Sequence, residues 1–125
     1  MDADPPAQGV KFARRNTVTS GDAASHPNWE YNFGHSYLIL RRYEEAIPRL
    51  RHAIELAPKF LPAHVRLTCA YAELDCLEQA KQEAAKILQF NPGFSIEFWD
   101  EFTPYRTPDQ RERFRSMLRK AGLPE

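Results

Sequence analysis

A repeat of 34 residues constrains this chain more than any other feature. Ala46 and Ala80 are 34 residues apart (80 − 46), as are Pro58 and Pro92 (92 − 58), and the residues between them recur in type and order. A period of roughly 20–50 residues marks a chain built from stacked supersecondary units, because one such unit cannot bury its apolar face alone. In this register one unit covers 27–60 and the next 61–94. Phe33, Gly34 and Tyr37 of the first match Leu67, Thr68 and Tyr71 of the second, and Ala46, Leu50 and Ala53 match Ala80, Ala84 and Ile87. Small residues at Gly34/Thr68 and Ala46/Ala80 let an opening and a returning helix approach closely, while the larger ones fill the gaps. Pro58 and Pro92 cannot continue the returning helix, so they fix the turn between units.

Over about 68 of its 125 residues, two units of 34, the chain resembles the tetratricopeptide repeat family. That resemblance implies an all-α fold: a right-handed helix–turn–helix solenoid of two repeats (27–60 and 61–94), closed by C-terminal capping helices (95–125). Two departures stand out. The family's tryptophan position is Glu30 in the first repeat, with Trp29 one residue earlier, and His64 in the second. The usual glycine between the helices is Arg41 in one unit and Asp75 in the other. The first opening helix is therefore expected to be slightly rotated or frayed at its start.

The family also implies a function, non-catalytic protein–protein interaction, with the partner held in a concave groove lined by the opening helices. Carried over by position, the groove presents Asn28, Tyr31, Asn32, His35 and Leu38 from repeat one, and Pro62, Val65, Arg66, Cys69 and Glu73 from repeat two. Leu38, Val65 and Cys69 read more readily as packing residues. The expected contacts to a protein or peptide partner are Asn28, Tyr31, Asn32, His35, Arg66 and Glu73, with Asn32 and Arg66 facing outward to hydrogen-bond and Tyr31 and Val65 giving apolar contact. The family's carboxylate clamp is not expected, because Tyr31 and His35 replace its lysine and second asparagine.

Charge and composition exclude other classes. Seventeen basic and seventeen acidic side chains cancel, which argues against nucleic acid, whose phosphates call for a basic excess. Arg41, Arg42, Arg49 and Arg51 alternate with Glu44 and Glu45, the pattern of a solvated, salt-paired helix face. Cys69 and Cys76 are too few and too widely spaced for a disulfide framework or metal site, and read as free thiols in a reducing compartment. The four histidines, His26, His35, His52 and His64, scatter over different helices, and no nucleophile, P-loop or metal motif is present, so neither an enzyme nor a bound cofactor is expected. No run approaches about 18 apolar residues, so the chain reads as cytoplasmic and free of membrane. Residues 1–26, rich in small and polar types, are expected to be a disordered tail, with Lys11-Phe12-Ala13-Arg14-Arg15 as part of it.

After Pro92 the pattern changes. Phe94, Phe98 and Phe102, with Trp99 beside them, predict a short aromatic helix on the open end of repeat two. A second helix starts at Thr107 as N-cap, with Pro108 at its first position and Gln110 placed to close a capping box. Phe114, Met117, Leu118 and Ala121 form its apolar face, and Gly122 its stop. This pair is expected to cap the stack, with Phe98, Trp99, Phe102 and Tyr105 more readily core than docking patch.

The same tail, Asn91-Pro92-Gly93-Phe94-Ser95, Pro104-Tyr105 with Pro108, and Leu118 to Glu125, resembles the C-terminus of proteobacterial multidomain proteins. In those proteins a class III adenylate/guanylate cyclase or a DNA-binding activator domain precedes a tetratricopeptide array. That resemblance implies a bacterial source and an alternative role as the C-terminal regulatory segment of a cyclase-type protein. A further alternative is a structural module that forms homo-oligomers through its uncapped N-terminal face.

Overall fold

The computed structural model describes residues 26–125; the expected N-terminal tail, including Lys11 to Arg15, lies outside them but for His26. The described residues form six helices: α1 (Pro27–Ile39), α2 (Tyr43–Leu56), α3 (Leu61–Glu73), α4 (Leu77–Phe90), α5 (Ile96–Glu101) and α6 (Pro108–Lys120). The fold is all-α, with helices packed in pairs as a short tetratricopeptide-like array. α1 packs on α2, α3 on α4, and α2 bridges the pairs by packing on α3.

Local chemistry sets the helix ends. His26 caps α1 by accepting at Nδ1 the backbone N–H of Asn28 at 3.2 Å, and the helix begins at Pro27, with no fraying of the first turn. Thr107 caps α6 by accepting from the Gln110 N–H at 3.1 Å. Gln110 reaches back one residue further than a capping box requires, accepting the Arg106 N–H at 3.1 Å. Gly122 ends α6 with a positive φ of 93°. Between the helices of each pair, Arg41 and Asp75 both adopt φ 63°, the left-handed conformation that favours the glycine expected there.

Inside each pair the repeat register governs the approach. A Cβ on Gly34 would lie 2.6 Å from Leu50 Cγ and 2.7 Å from its Cδ2, so α1 and α2 meet where no side chain fits. The counterparts exchange sizes: Gly34 becomes Thr68 (34 + 34) and Leu50 becomes Ala84 (50 + 34), both buried. The larger residue of each matched set thus sits on the returning helix in repeat one and on the opening helix in repeat two, which keeps the interior filled.

The C-terminal helices differ from their expected place. α6 packs on α3 and on α5 more than on α4, so it closes on the last repeat from the opening-helix face. Arg113 anchors it at the α1–α2 corner, donating from Nη2 to the Leu38 carbonyl at 3.1 Å and the Tyr43 hydroxyl at 3.2 Å. The last residues close back on α5, whose Ile96 and Glu97 N–H groups donate to the carbonyls of Pro124 (2.8 Å) and Glu125 (3.0 Å). Phe94, Ile96, Trp99, Phe114, Met117 and Leu118 thereby join the repeats in one continuous core. The aromatic cluster splits: Trp99 is buried and Tyr105 half-buried, whereas Phe98 and Phe102 face outward, correcting their expected core role.

Candidate partner-binding face

α3 is buried along almost its whole length, from Ala63 through Ala70 and at Ala72, because α1, α2, α4 and α6 all pack around it. Arg66 is therefore not the outward-facing donor that its groove position predicts. It is only 1% exposed, and its guanidinium carbon lies 4.9 Å from the Phe114 ring centroid, 5.6 Å from Trp99 and 5.8 Å from Tyr105. The planar, weakly hydrated guanidinium tolerates this because its faces stack on aromatic rings. Its Nε donates to the Tyr31 hydroxyl at 3.4 Å. Val65, Cys69 and Leu38 are fully buried as packing residues, so Val65 does not give the apolar partner contact expected of it, and burial pushes the Cys69 thiol up to about 12, which leaves it unreactive. Glu73 stands apart at the end of α3, 3.5 Å from Arg41.

The repeat-one half of the face is open. Asn28 and Asn32 are exposed; Tyr31 and His35 are half-buried. Their spacing of i, i+3, i+4 and i+7 places all four on one side of α1. Tyr31 and His35 stack with centroids 5.6 Å apart, and Phe60 meets Tyr31 edge-on at 5.5 Å. Burial, reinforced by the charge of Arg66, lowers the His35 pKa to about 4, so its ring is neutral near pH 7. The strip therefore offers amide donors and acceptors beside a neutral aromatic ledge, with its one cation sealed beneath.

The sequence reading missed two buried polar pairs, although the repeat register contains them. Glu30 is buried between α1 and α2, 3.2 Å from Arg49 and 3.5 Å from His52. Its counterpart His64 (30 + 34) is buried against Glu83 (49 + 34), with Nδ1 3.0 Å from Glu83 Oε1 and Nε2 2.7 Å from the Pro58 carbonyl. The position where the family carries tryptophan thus holds half of a buried polar pair in both repeats, acid first in one and base first in the other. Among the described residues no group of three or more His, Cys, Asp or Glu side chains could hold a metal ion, and no helix is long and apolar enough to cross a membrane.

The paired helices form a short helical-repeat array. Residues 31–60 match the tetratricopeptide repeat family, a typically non-catalytic interaction module. No curated protein and no solved structure matches the chain, so the tail's likeness to cyclase-type proteins is carried by no relative.

Proposed function

We propose that this chain is a non-catalytic interaction module that holds a peptide or helix of a protein partner along α1, on the strip Asn28, Tyr31, Asn32 and His35. One observation carries the reading: α6 covers the α3 half of the face, while the α1 half stays open with its polar groups exposed. Asn28 and Asn32 supply hydrogen bonds to partner backbone, and the Tyr31–His35 ledge supplies apolar contact at low entropic cost. Arg66 acts from below, holding Tyr31 in place through its hydroxyl. Glu73, set apart beside Arg41, contributes at most to the rim.

The test is selection of peptides from a displayed library against the full chain, with the contact surface mapped by amide chemical shifts. Selected peptides are expected to shift Asn28, Tyr31, Asn32 and His35. The double variant Asn28→Ala, Asn32→Ala should bind roughly thirtyfold more weakly, for two lost hydrogen bonds of about 1 kcal/mol each. Peptides that bind this variant as tightly as the parent, or that shift only α5 and α6, overturn the reading.

A further inference from the structure

His64 is 3% exposed, and each of its ring nitrogens points at an acceptor: Nδ1 lies 3.0 Å from Glu83 Oε1 and Nε2 2.7 Å from the Pro58 carbonyl. A carbonyl oxygen has no proton to give, and an ionised carboxylate has none either. Both nitrogens therefore donate, and a histidine ring that donates twice is an imidazolium. The one other arrangement places the shared proton on Glu83. Lys86 opposes that, because its Nζ donates to Glu83 Oε2 at 3.0 Å and so favours the carboxylate. Burial alone would raise the Glu83 carboxyl, but the hydrogen bonds from His64 and Lys86 bring it below the ordinary carboxylate value.

We infer that the folded chain keeps His64 doubly protonated as a latch joining the α2–α3 turn, α3 and α4, and that rising pH releases the latch. Histidine suits such a role because it is the side chain whose charge ordinarily changes near neutral pH. Loss of either proton breaks one arm. Without the Nδ1 proton a lone pair faces the Glu83 carboxylate; without the Nε2 proton it faces the Pro58 carbonyl. Two buried acceptors set against each other lose their bond and repel, so α4 or the turn has to shift. That turn also carries Phe60, whose ring meets Tyr31 edge-on at 5.5 Å, so the latch steadies the ground behind the proposed partner strip.

The neighbouring charges show what holds the second proton. Lys59 of the turn and Lys86 of α4 border the same hollow as the ring, and both repel a cation. Across the adjoining groove α2 brings Arg51 and Glu55 beside Glu83 and Lys86, one charge of each sign. Among the described residues no ion pair other than Lys86–Glu83 reaches the His64–Glu83 pair, from α1, α6 or elsewhere. The proton is thus held by its two acceptors and not by the general field. Every polar atom of the two side chains has a partner, the condition under which a buried ion pair holds. In repeat one the same position is Glu30, whose partners Arg49 and His52 are partly exposed.

Nitrogen-15 NMR of the imidazole rings in the full, labelled chain reads the protons directly. Near pH 7 both His64 nitrogens should carry a proton, while His35, kept neutral by burial, shows one protonated and one bare nitrogen in the same spectrum. Where the folded chain holds a proton that the unfolded chain gives up, stability falls with rising pH. Departure of one His64 proton should therefore coincide with a drop in the urea midpoint at constant m-value. Glu83→Gln, whose amide can donate to a neutral ring, should abolish both the second proton and the alkaline drop. Glu30→Gln, which touches only the Arg49 and His52 pair, should keep both. A His64 ring with one bare nitrogen near pH 7 overturns the inference, as does a proton loss that leaves the urea midpoint unmoved. An alkaline drop that survives Glu83→Gln but vanishes in Glu30→Gln belongs to His52 and overturns it too. All these readings are made without a partner, so their failure leaves the peptide strip standing, and failure of the strip leaves the latch standing.

Discussion

The two opening helices share one register and differ in almost everything that burial decides. α3 hides nine residues, whereas α1 hides Glu30, Gly34 and Leu38. The difference does not come from apolar content at matched positions, since Trp29 and Phe33 are larger than Ala63 and Leu67. It comes from the number of neighbours, because α3 is enclosed by α1, α2, α4 and α6. In a solenoid, stability is a sum of repeat and interface contributions, so a unit with two neighbours becomes core and a unit with one becomes surface. The proposed partner strip follows the same division, lying on the open helix, with a caged arginine on the enclosed one.

Removing α6 breaks this contrast and should have the largest effect. Deleting Thr107 to Glu125 takes the Phe114 ring away from the buried Arg66 guanidinium and removes Phe114 and Leu118 from the shared core. A chain this small has little burial to spare. We expect aggregation or a broad, early melt, whereas Phe98 and Phe102, already exposed, contribute nothing to the change. A truncated chain that stays soluble with an unchanged Tm would show that α6 is an accessory to repeat two.

The buried pairs sharpen the contrast next. His64 and Glu83 are almost fully enclosed, while the Arg49 and His52 partners of Glu30 are partly exposed. Glu83→Ala leaves His64 facing no carboxylate and should cost about 3 kcal/mol, against a smaller loss for Glu30→Ala, whose partners Arg49 and His52 can turn to water. Burial by itself raises the Glu83 pKa, but hydrogen bonds from His64 and Lys86 outweigh it and hold the group below the ordinary carboxylate value. Glu83 therefore adds stability above its unfolded pKa, and that contribution disappears as pH falls through the lower folded value. Denaturant melts from pH 7 into the acid range should show this loss in the parent and a flatter profile in Glu83→Gln; parallel profiles would sink the assignment.

Size exchange within the pairs gives a third test. Gly34→Ala forces a methyl group into Leu50 and should cost about 1–3 kcal/mol. Adding Leu50→Ala, the residue that repeat two carries at the matching position Ala84, should recover part of that loss, which a double-mutant cycle reads directly. Purely additive losses would mean that the two residues do not compete for the same space.

Much of this was legible in the 34-residue register. The helix pairs, the turns at Arg41 and Asp75, the cap at Thr107 and the burial of Leu38, Val65 and Cys69 all follow from local chemistry or from positions that recur. Arg66 was misplaced because its surroundings come from Trp99, Tyr105 and Phe114, residues 33 to 48 positions later (99 − 66 and 114 − 66), outside either repeat. The packing of α6 on α3 more than on α4 is likewise set by tertiary contacts such as Arg113 with Leu38 and Tyr43, which no periodicity encodes. The Glu30–Arg49 and His64–Glu83 pairs could have been found by aligning the repeats for charge as well as size.

The smallest effect expected is at the two turns, where the repeats agree most closely. Arg41 and Asp75 each hold φ 63°, which costs a residue with a Cβ about 1 kcal/mol relative to glycine, less for aspartate, whose short side chain suits this region. Glycine also enlarges the entropy of the unfolded chain, which returns part of the gain. Neither side chain contributes much in exchange: Arg41 is exposed and 3.5 Å from Glu73, and exposed Asp75 lies 3.6 Å from Lys120. Arg41→Gly should therefore stabilise by a few tenths of a kcal/mol and Asp75→Gly by less, measured as the shift of the urea midpoint at constant m-value. If Arg41→Gly destabilises, the Arg41–Glu73 pair matters more to the corner between α1 and α3 than its exposure indicates, and the two turns are not equivalent after all.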